Sequence, residues 1–239
     1  MFAIAPGTVN QSVPSKSTMR RLLAALGSVL APSQCVLCDR PGLPGLVDLC
    51  ADCLAEFPRA GPIDFPRAGT FELACCPWSF GFPVNELVRA LKFRGERSHA
   101  RLLGTLLARE RHARGPPFPD RVIPVPLHPL RWRERGYNQA AELARFAARE
   151  LGLAFEPHAL RRERVTREQT ALHLGDRAAN VRRAFAATKS LRGLRVALVD
   201  DVITTGSTVS AAADALRGTG ASAVELWVVA RTARRYGRG

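Results

Sequence analysis

The chain is poor in aromatic residues, in lysine and in long apolar runs. Phe, Trp and Tyr together make 7% of its 239 residues, too few for an extensive base-stacking platform, so any grip on nucleic acid should be mainly electrostatic. Only 3 of the 35 Lys and Arg residues are lysine. With alanine abundant, that is the bias of a GC-rich coding sequence, and part of the arginine count reflects codon usage. No stretch approaches the ~18–20 consecutive apolar residues of a membrane span, which leaves a cytoplasmic protein as the expectation. Charge excess is missing from the first third: residues 1–80 hold six basic and six acidic side chains, residues 81–239 hold 29 and 15. The net +14 therefore belongs to the C-terminal part, where it draws polyanions, either a nucleotide-like substrate or a nucleic-acid backbone.

What is present allows one large domain, or a large and a small one, with 46% apolar residues to build a core. Residues 1–18, with Pro6, Gly7 and Pro14 among Ser and Thr, read as a disordered leader. Residues 20–31 place two arginines ahead of an apolar run and faintly imitate a secretory signal; a short amphipathic helix is the simpler reading. Cys35-Val-Leu-Cys38 and Cys50-Ala-Asp-Cys53 follow. Two Cys-x-x-Cys pairs at this separation can each hold one edge of a tetrahedral Zn²⁺ through thiolates at ~2.3 Å. Two disulfides or a redox dithiol are the alternatives, but a redox motif belongs beside a βαβ unit, not duplicated around Pro41, Gly42, Pro44 and Gly45. Four thiolates leave no open position for catalysis, so the metal is structural. A helix plus zinc ribbon is expected over 20–70. Cys75 and Cys76 lack a second pair and read as buried core thiols. Residues 57–70, with Phe-Pro-Arg-Ala-Gly twice, read as a linker.

A second domain is expected over 78–236. Trp78–Phe82 reads as a strand. Val84–Phe93 reads as a helix with Val84, Leu87, Val88 and Leu91 inward and Arg89, Lys92 and Arg94 outward. Ser98 is positioned as the N-cap of a helix running to about Arg114, stopped by Gly115-Pro-Pro-Phe-Pro. Arg121–Leu127 is a short apolar strand bent by Pro124 and Pro126. Arg131, Arg133 and Arg135 then offer bidentate phosphate donors, ahead of a helix over 139–151 closed by Gly152. The charged stretch 161–170 reads as a lid between core strands, Asn180–Phe185 as a short helix, and Ala223–Ala230 as the next strand.

The strongest signal is Arg195-Val-Ala-Leu-Val-Asp-Asp-Val-Ile-Thr-Thr-Gly-Ser-Thr208. Its apolar run is a strand buried on both faces of a parallel sheet. Two carboxylates sit at the strand's end, and hydroxyls and amides follow at a helix start, where free N–H groups and the dipole favour a phosphate. Gly206 lets the backbone approach that anion. A capped helix behind two solvated aspartates is the plainer alternative. The pattern resembles the phosphoribosyl-pyrophosphate (PRPP) fingerprint of type I phosphoribosyltransferases. That resemblance implies that Asp200 and Asp201 face ribose hydroxyls, and that Thr204, Thr205, Gly206, Ser207 and Thr208 hold the 5′-phosphate. The Pro-rich strand exit, with Val125 and Pro126, resembles the loop that takes the pyrophosphate.

Taken in order, Cys35/Cys38, Cys50/Cys53, Leu91-Lys92-Phe93, Val122–Leu127, Arg135-Gly-Tyr-Asn-Gln139, Gln169, Arg177, Asn180 and Asp200–Thr208 resemble the ComF family, to which GntX-like proteins also belong. The resemblance implies an α/β fold, a type I phosphoribosyltransferase-like parallel sheet flanked by helices, behind a small N-terminal zinc-ribbon lobe. It further implies PRPP with Mg²⁺ as ligand, a glycosyltransferase-class reaction on an unknown acceptor, and a role in DNA uptake with single-stranded DNA and a competence helicase-type protein as partners. Under the enzyme reading Arg131, Arg133 or Arg135 stabilises departing pyrophosphate. No side chain stands out as general base; His128, between Leu127 and Pro129, reads as a turn residue. The alternative is a non-catalytic single-stranded DNA-binding module that keeps the phosphate cradle.

Overall fold

The computed structural model describes residues 34–43, 48–61, 69–162 and 184–232. The leader, the helix expected over 20–31, most of the lid stretch, Gln169, Arg177 and Asn180 lie outside them. The chain divides into two compact units, residues 1–50 and 51–239. In the first, Cys35–Cys38 form a turn in which the Asp39 amide donates to Cys35 O at 2.9 Å and the Cys35 amide to Arg40 O at 2.8 Å. Asp39 and Asp48 both take positive φ, a left-handed conformation that Asp tolerates better than most residues.

The second unit begins with helix α1 (Ala51–Ala55) and is built on a parallel sheet. Its strands are β1 (Leu73–Cys75), β2 (Trp78–Ser79), β3 (Arg121–Pro124), β4 (Ala154–Phe155), β7 (Arg195–Ile203) and β8 (Ala223–Arg231), in spatial order β1-β8-β7-β3-β4 with β2 also paired to β8. A separate antiparallel pair joins β5 (Leu160–Arg162) to β6 (Phe185–Ala187). All pairings in the main sheet are parallel, and every residue of β8 except Arg231 is buried. This is why β7 and β8 are continuous apolar runs and not alternating ones.

Helix α2 (Val84–Arg89) passes directly into a π-helical turn, Ala90–Arg94. Helices α3 (Ser98–His112), α4 (Pro129–Arg135), α5 (Gln139–Leu151) and α6 (Ser207–Arg217) follow. Helix α6 packs on one sheet face, where Val196, Leu198, Val224, Leu226 and Val228 meet Val209, Ala212, Ala213 and Leu216 in one cluster. The intervening strand residues point to the other face, where Glu225 receives two bonds from the Arg111 guanidinium of α3, at 2.7 and 2.9 Å, and one from Trp227 Nε1 at 2.9 Å. Arg111 also donates to Gly115 O and Pro117 O, so one buried ion pair ties α3, the loop that ends it and β8. Helices α3 and α5 approach so closely at Gly104 that a Cβ there would lie 2.7 Å from Leu143 O.

Several elements differ from the sequence expectation. Arg97, not Ser98, is the N-cap of α3, and no side chain caps it; Ser98 is already helical. The strand at Trp78 ends at Ser79. Phe185 opens a strand and does not end a helix, because Phe185–Ala187 finds Leu160–Arg162 as a partner, and pairing overrides an alanine-rich propensity. Residues 57–61 are docked and not a free linker: Phe57 stacks edge-on against Trp78 at 5.5 Å, and the Ala60 amide donates to Pro77 O at 2.9 Å. Cys75 and Cys76 are buried, and burial pushes both thiols up to about 12, which makes them inert as nucleophiles. Among the described residues, no helix is long and apolar enough to cross a membrane.

Candidate functional site: a carboxylate pair and an open helix N-terminus

The C-terminal half of β7 carries Asp200 and Asp201, and Val202 and Ile203 continue the strand beyond them against β8, whereas the sequence expectation ends it at the carboxylates. The backbone of the two aspartates is held by their own side chains: Asp200 Oδ1 accepts from the Asp201 amide at 2.9 Å, and Asp201 Oδ1 accepts from the Val202 amide at 2.6 Å. Surrounding protein desolvates Asp200 and Asp201's charge sits beside it, so its carboxyl is raised to about 7, against weaker opposing pulls from the Asp201 amide, Lys92 and Arg162. Such a pair resists full ionisation until a cation arrives.

One such cation is supplied internally. Lys92 Nζ lies 3.0 Å from Asp201 Oδ2, with both side chains largely shielded. The sequence expectation puts Lys92 on the outer, charged face of its helix. The π-helical turn spanning Ala90–Arg94 breaks the 100° periodicity on which that expectation rests, and single π-turns are frequent at functional sites. One signal points to it: Lys92 is one of three lysines in a chain otherwise using arginine.

Beyond β7, Gly206 is the N-cap of α6 with φ 77° and ψ 0° and, as glycine, brings no capping side chain of its own. Only Gly takes this left-handed conformation without strain. Thr205 Oγ1 lies 3.1 Å from Ser207 Oγ and 3.5 Å from the Ser207 amide, while Thr204, Thr205 and Ser207 are exposed and Thr208 is half-buried. Amides and hydroxyls of one loop thus face solvent at a positive helix end, a geometry suited to a phosphate.

The β3 exit runs beside β7, next to the carboxylates. The Val125 amide donates to Val199 O at 2.9 Å, and Asn138 Nδ2 donates to Val125 O at 2.9 Å while its Oδ1 caps α5 through the Ala140 amide. Tyr137 donates its hydroxyl to Leu91 O. The Gly-Tyr-Asn-Gln stretch therefore clamps the β3 exit loop, with Val125 and Pro126, to the turn that carries Lys92. His128 caps α4, its Nδ1 accepting from the Leu130 amide at 3.2 Å, and its Nε2 is buried with no hydrogen-bond partner among the described residues. Burial first, then Arg162 and Arg131, hold its pKa below the ordinary value. Arg162, on β5, is itself lowered by burial and by Arg131 and drawn up by Asp200. Of the three candidate arginines, Arg131 thus bears on the site, whereas Arg135 lies 5.1 Å over the Phe93 ring and Arg133 is exposed on α4. A cavity of about 430 Å³ bordered by Arg59, Cys76, Glu110 and Arg114 shares no residue with this site.

Cys35, Cys38, Cys50 and Cys53 have ligand sulfurs all within 4.8 Å of one another. None is in a disulfide, and Cys38 and Cys50 sulfurs are 3.6 Å apart, close to the ~3.8 Å edge of a tetrahedron with 2.3 Å metal–sulfur bonds. Arg40 Nε donates to Cys38 Sγ at 3.4 Å. The four thiols are close enough to hold a metal ion such as zinc.

Comparison with known proteins agrees with this architecture. The family model described as phosphoribosyl transferase domain matches residues 135–238. The DNA utilization protein YhgH of Salmonella typhi is 34% identical over 222 residues, covering 84% of this chain and 98% of that protein; its counterpart in Escherichia coli K12 is 33% identical over 223 residues, with the same coverage. Competence protein F of Haemophilus influenzae is 35% identical over 156 residues, 62% of this chain and 68% of that protein. Among solved structures, the glutamine phosphoribosylpyrophosphate (PRPP) amidotransferase from B. subtilis, complexed with ADP and GMP, aligns at 26% identity and a TM-score of 0.39, over 54% of this chain and 25% of that one, so the chain spans about a quarter of its length. A parallel α/β sheet with a phosphoribosyltransferase domain, a zinc-ribbon-like cysteine cluster and similarity to these DNA utilization proteins over most of its length together place the chain in the ComF family.

Proposed function

We propose that this protein binds PRPP together with Mg²⁺ in a phosphoribosyltransferase-type domain associated with DNA uptake. The carrying observation is the pair Asp200 and Asp201 in the C-terminal half of β7, followed five residues on by a helix N-terminus whose cap, Gly206 at φ 77°, has no side chain. Thr204 to Thr208 hold the 5′-phosphate through backbone amides and hydroxyls, and the two carboxylates face the ribose hydroxyls. Arg131 and the β3 exit loop, with Val125 and Pro126, take the pyrophosphate side, Arg133 and Arg135 adding positive field from α4. The buried, unpartnered Nε2 of His128 needs an acceptor, and a pyrophosphate oxygen is one. The carboxylate pair and its shifted Asp200 suit a divalent ion, which when bound neutralises charge between phosphates and diol. As an enzyme the domain is a glycosyltransferase with a nitrogen acceptor, and its catalysis is mostly positioning and charge neutralisation.

Two further assignments belong to this reading. The Cys35, Cys38, Cys50 and Cys53 cluster holds a structural Zn²⁺ that staples the N-terminal lobe of residues 20–70, ahead of the transferase domain of 78–236. Free thiols suit a reducing compartment, so the protein works in the cytoplasm, with a competence helicase-type protein as partner. The second reading is a single-stranded DNA-binding module without turnover, favoured by the exposed arginines of α4.

Calorimetric titration with PRPP, with and without Mg²⁺, tests the first reading, followed by pyrophosphate release across candidate acceptors. Tight Mg²⁺-dependent binding that disappears in Asp200→Asn/Asp201→Asn is expected. Absence of PRPP binding by the wild-type protein overturns it. Binding without release on any acceptor leaves the phosphate cradle as a sensor and selects the second reading.

A further inference from the structure

Four large apolar side chains of the second unit stand exposed: Phe82 at 68%, Phe93 at 72%, Leu130 at 54% and Trp132 at 52%. Leu130 and Trp132 share one helix, α4, and Phe93 lies beneath that helix's Arg135. An exposed large aromatic is the informative kind of surface residue, particularly when charge adjoins it. Here the charge is all but single-signed. Arg131, Arg133 and Arg135 alternate with other residues along α4, and Glu134 is the helix's one acid.

The geometry makes a ridge of them. At about 100° per residue, Arg131, Arg135 and Trp132 fall within roughly a 100° arc of α4. Residues three apart are surface neighbours, so Trp132 stands beside Arg135, and the Arg135 guanidinium lies 5.1 Å over the Phe93 ring. Phe93 lies in the same π-helical turn that carries Lys92 to Asp201. At the other side Arg131 acts on Arg162, which in turn acts on Asp200.

From this we infer that Phe93, Trp132, Arg131 and Arg135 form a stacking surface for a single-stranded polynucleotide along the rim of the Asp200 site. Two aromatic faces interleaved with guanidinium groups fit splayed bases between successive phosphates. A duplex keeps its bases stacked within itself and offers the rings nothing. The inference rests on the DNA-handling reading for the class of partner, and supplies the face and the mode. It also amends the composition argument: aromatics are few, but two stand where a base can reach them, so binding is not electrostatic alone.

The chain carries its own reporter. Of its three tryptophans, Trp78 and Trp227 are 1% and 0% exposed, so red-edge emission comes from Trp132. Titrating the metal-loaded full chain with an oligothymidylate of about 20 residues at about 150 mM salt should quench that emission. Followed by anisotropy of a labelled oligonucleotide, Phe93→Ala and Trp132→Ala should each weaken binding roughly 5- to 150-fold, and both should leave Mg²⁺–PRPP binding and thermal unfolding unchanged. The inference fails if the oligonucleotide binds with Trp132 emission unaltered, if a duplex of equal length quenches as well, or if sedimentation shows the ridge buried between two copies of the chain. Loss of PRPP binding in the wild-type protein, with quenching intact, overturns the phosphosugar reading and leaves this one standing.

Discussion

Replacing Lys92 with Met keeps the aliphatic stem and removes the ammonium 3.0 Å from Asp201. At an effective dielectric of about 20 the lost attraction is about 5 kcal/mol in gross terms. Removing one member of a fully buried pair costs about 3–5 kcal/mol, and this pair is partly open, so about 1–3 kcal/mol is the expected penalty on the ionised carboxylates. Lys92 is also one of the groups that oppose the rise of Asp200 to about 7, so Asp200 should titrate higher in the variant. Carboxyl ¹³C NMR across pH 5–10 reads this directly. At pH 7 the variant's pair retains a proton, so Mg²⁺–PRPP affinity should fall about tenfold and recover near pH 9. Lys92→Arg should restore most of it. If the carboxyl titration of Lys92→Met superposes on that of the wild type, the ion pair does not control the site and the argument from the π-helical turn is wrong.

Other outcomes follow from the same structure. Asp200 has a folded pKa above its ordinary 3.8, so the native state holds a proton that the unfolded chain has lost, and stability should fall as pH rises from about 4 to about 7; Asp200→Asn should flatten that slope in urea melts. Arg111→Met strands Glu225, 1% exposed, and should cost about 3–5 kcal/mol in denaturant unfolding; a loss under about 1 kcal/mol would show that the pair is dispensable. Gly104→Ala drives a methyl against Leu143 O and Phe146 Cβ, at 2.7 and 3.0 Å, and should destabilise by about 1–3 kcal/mol, seen as a lower Tm with PRPP affinity unchanged. Cys50→Ser should abolish bound zinc measured by atomic absorption, whereas Cys75→Ser, at a buried thiol outside the cluster, should retain it.

The elements legible in the sequence are those whose pattern is local. Strand β7 and helix α6 announce themselves by an apolar run, two acids and a Gly-containing turn, and α5 by an amphipathic stretch ending at Gly152, which does adopt the left-handed C-cap. What escapes a sequence reading depends on partners far along the chain. Leu73–Cys75 is too short to read as a strand and exists because β8 pairs with it. Phe185–Ala187 lacks β-branched residues and is a strand only opposite Leu160–Arg162. The Arg111–Glu225 pair spans 114 residues. Helical projection misplaces Lys92 because it assumes a uniform turn, and the Ala90–Arg94 segment does not have one.

Strand order has a consequence for how the chain comes into being. Strand β8, made after every other strand, lies between β1 and β7 and is the only neighbour of β2 in the sheet, among the described residues. During synthesis β1 must therefore wait without its sheet partner while nearly the whole domain leaves the ribosome, whereas β2 already has the upstream bridge between Arg59 and Trp78. Nascent chains stalled before Ala223 should be protease-sensitive around Leu73–Cys75, and those released past Arg231 should not.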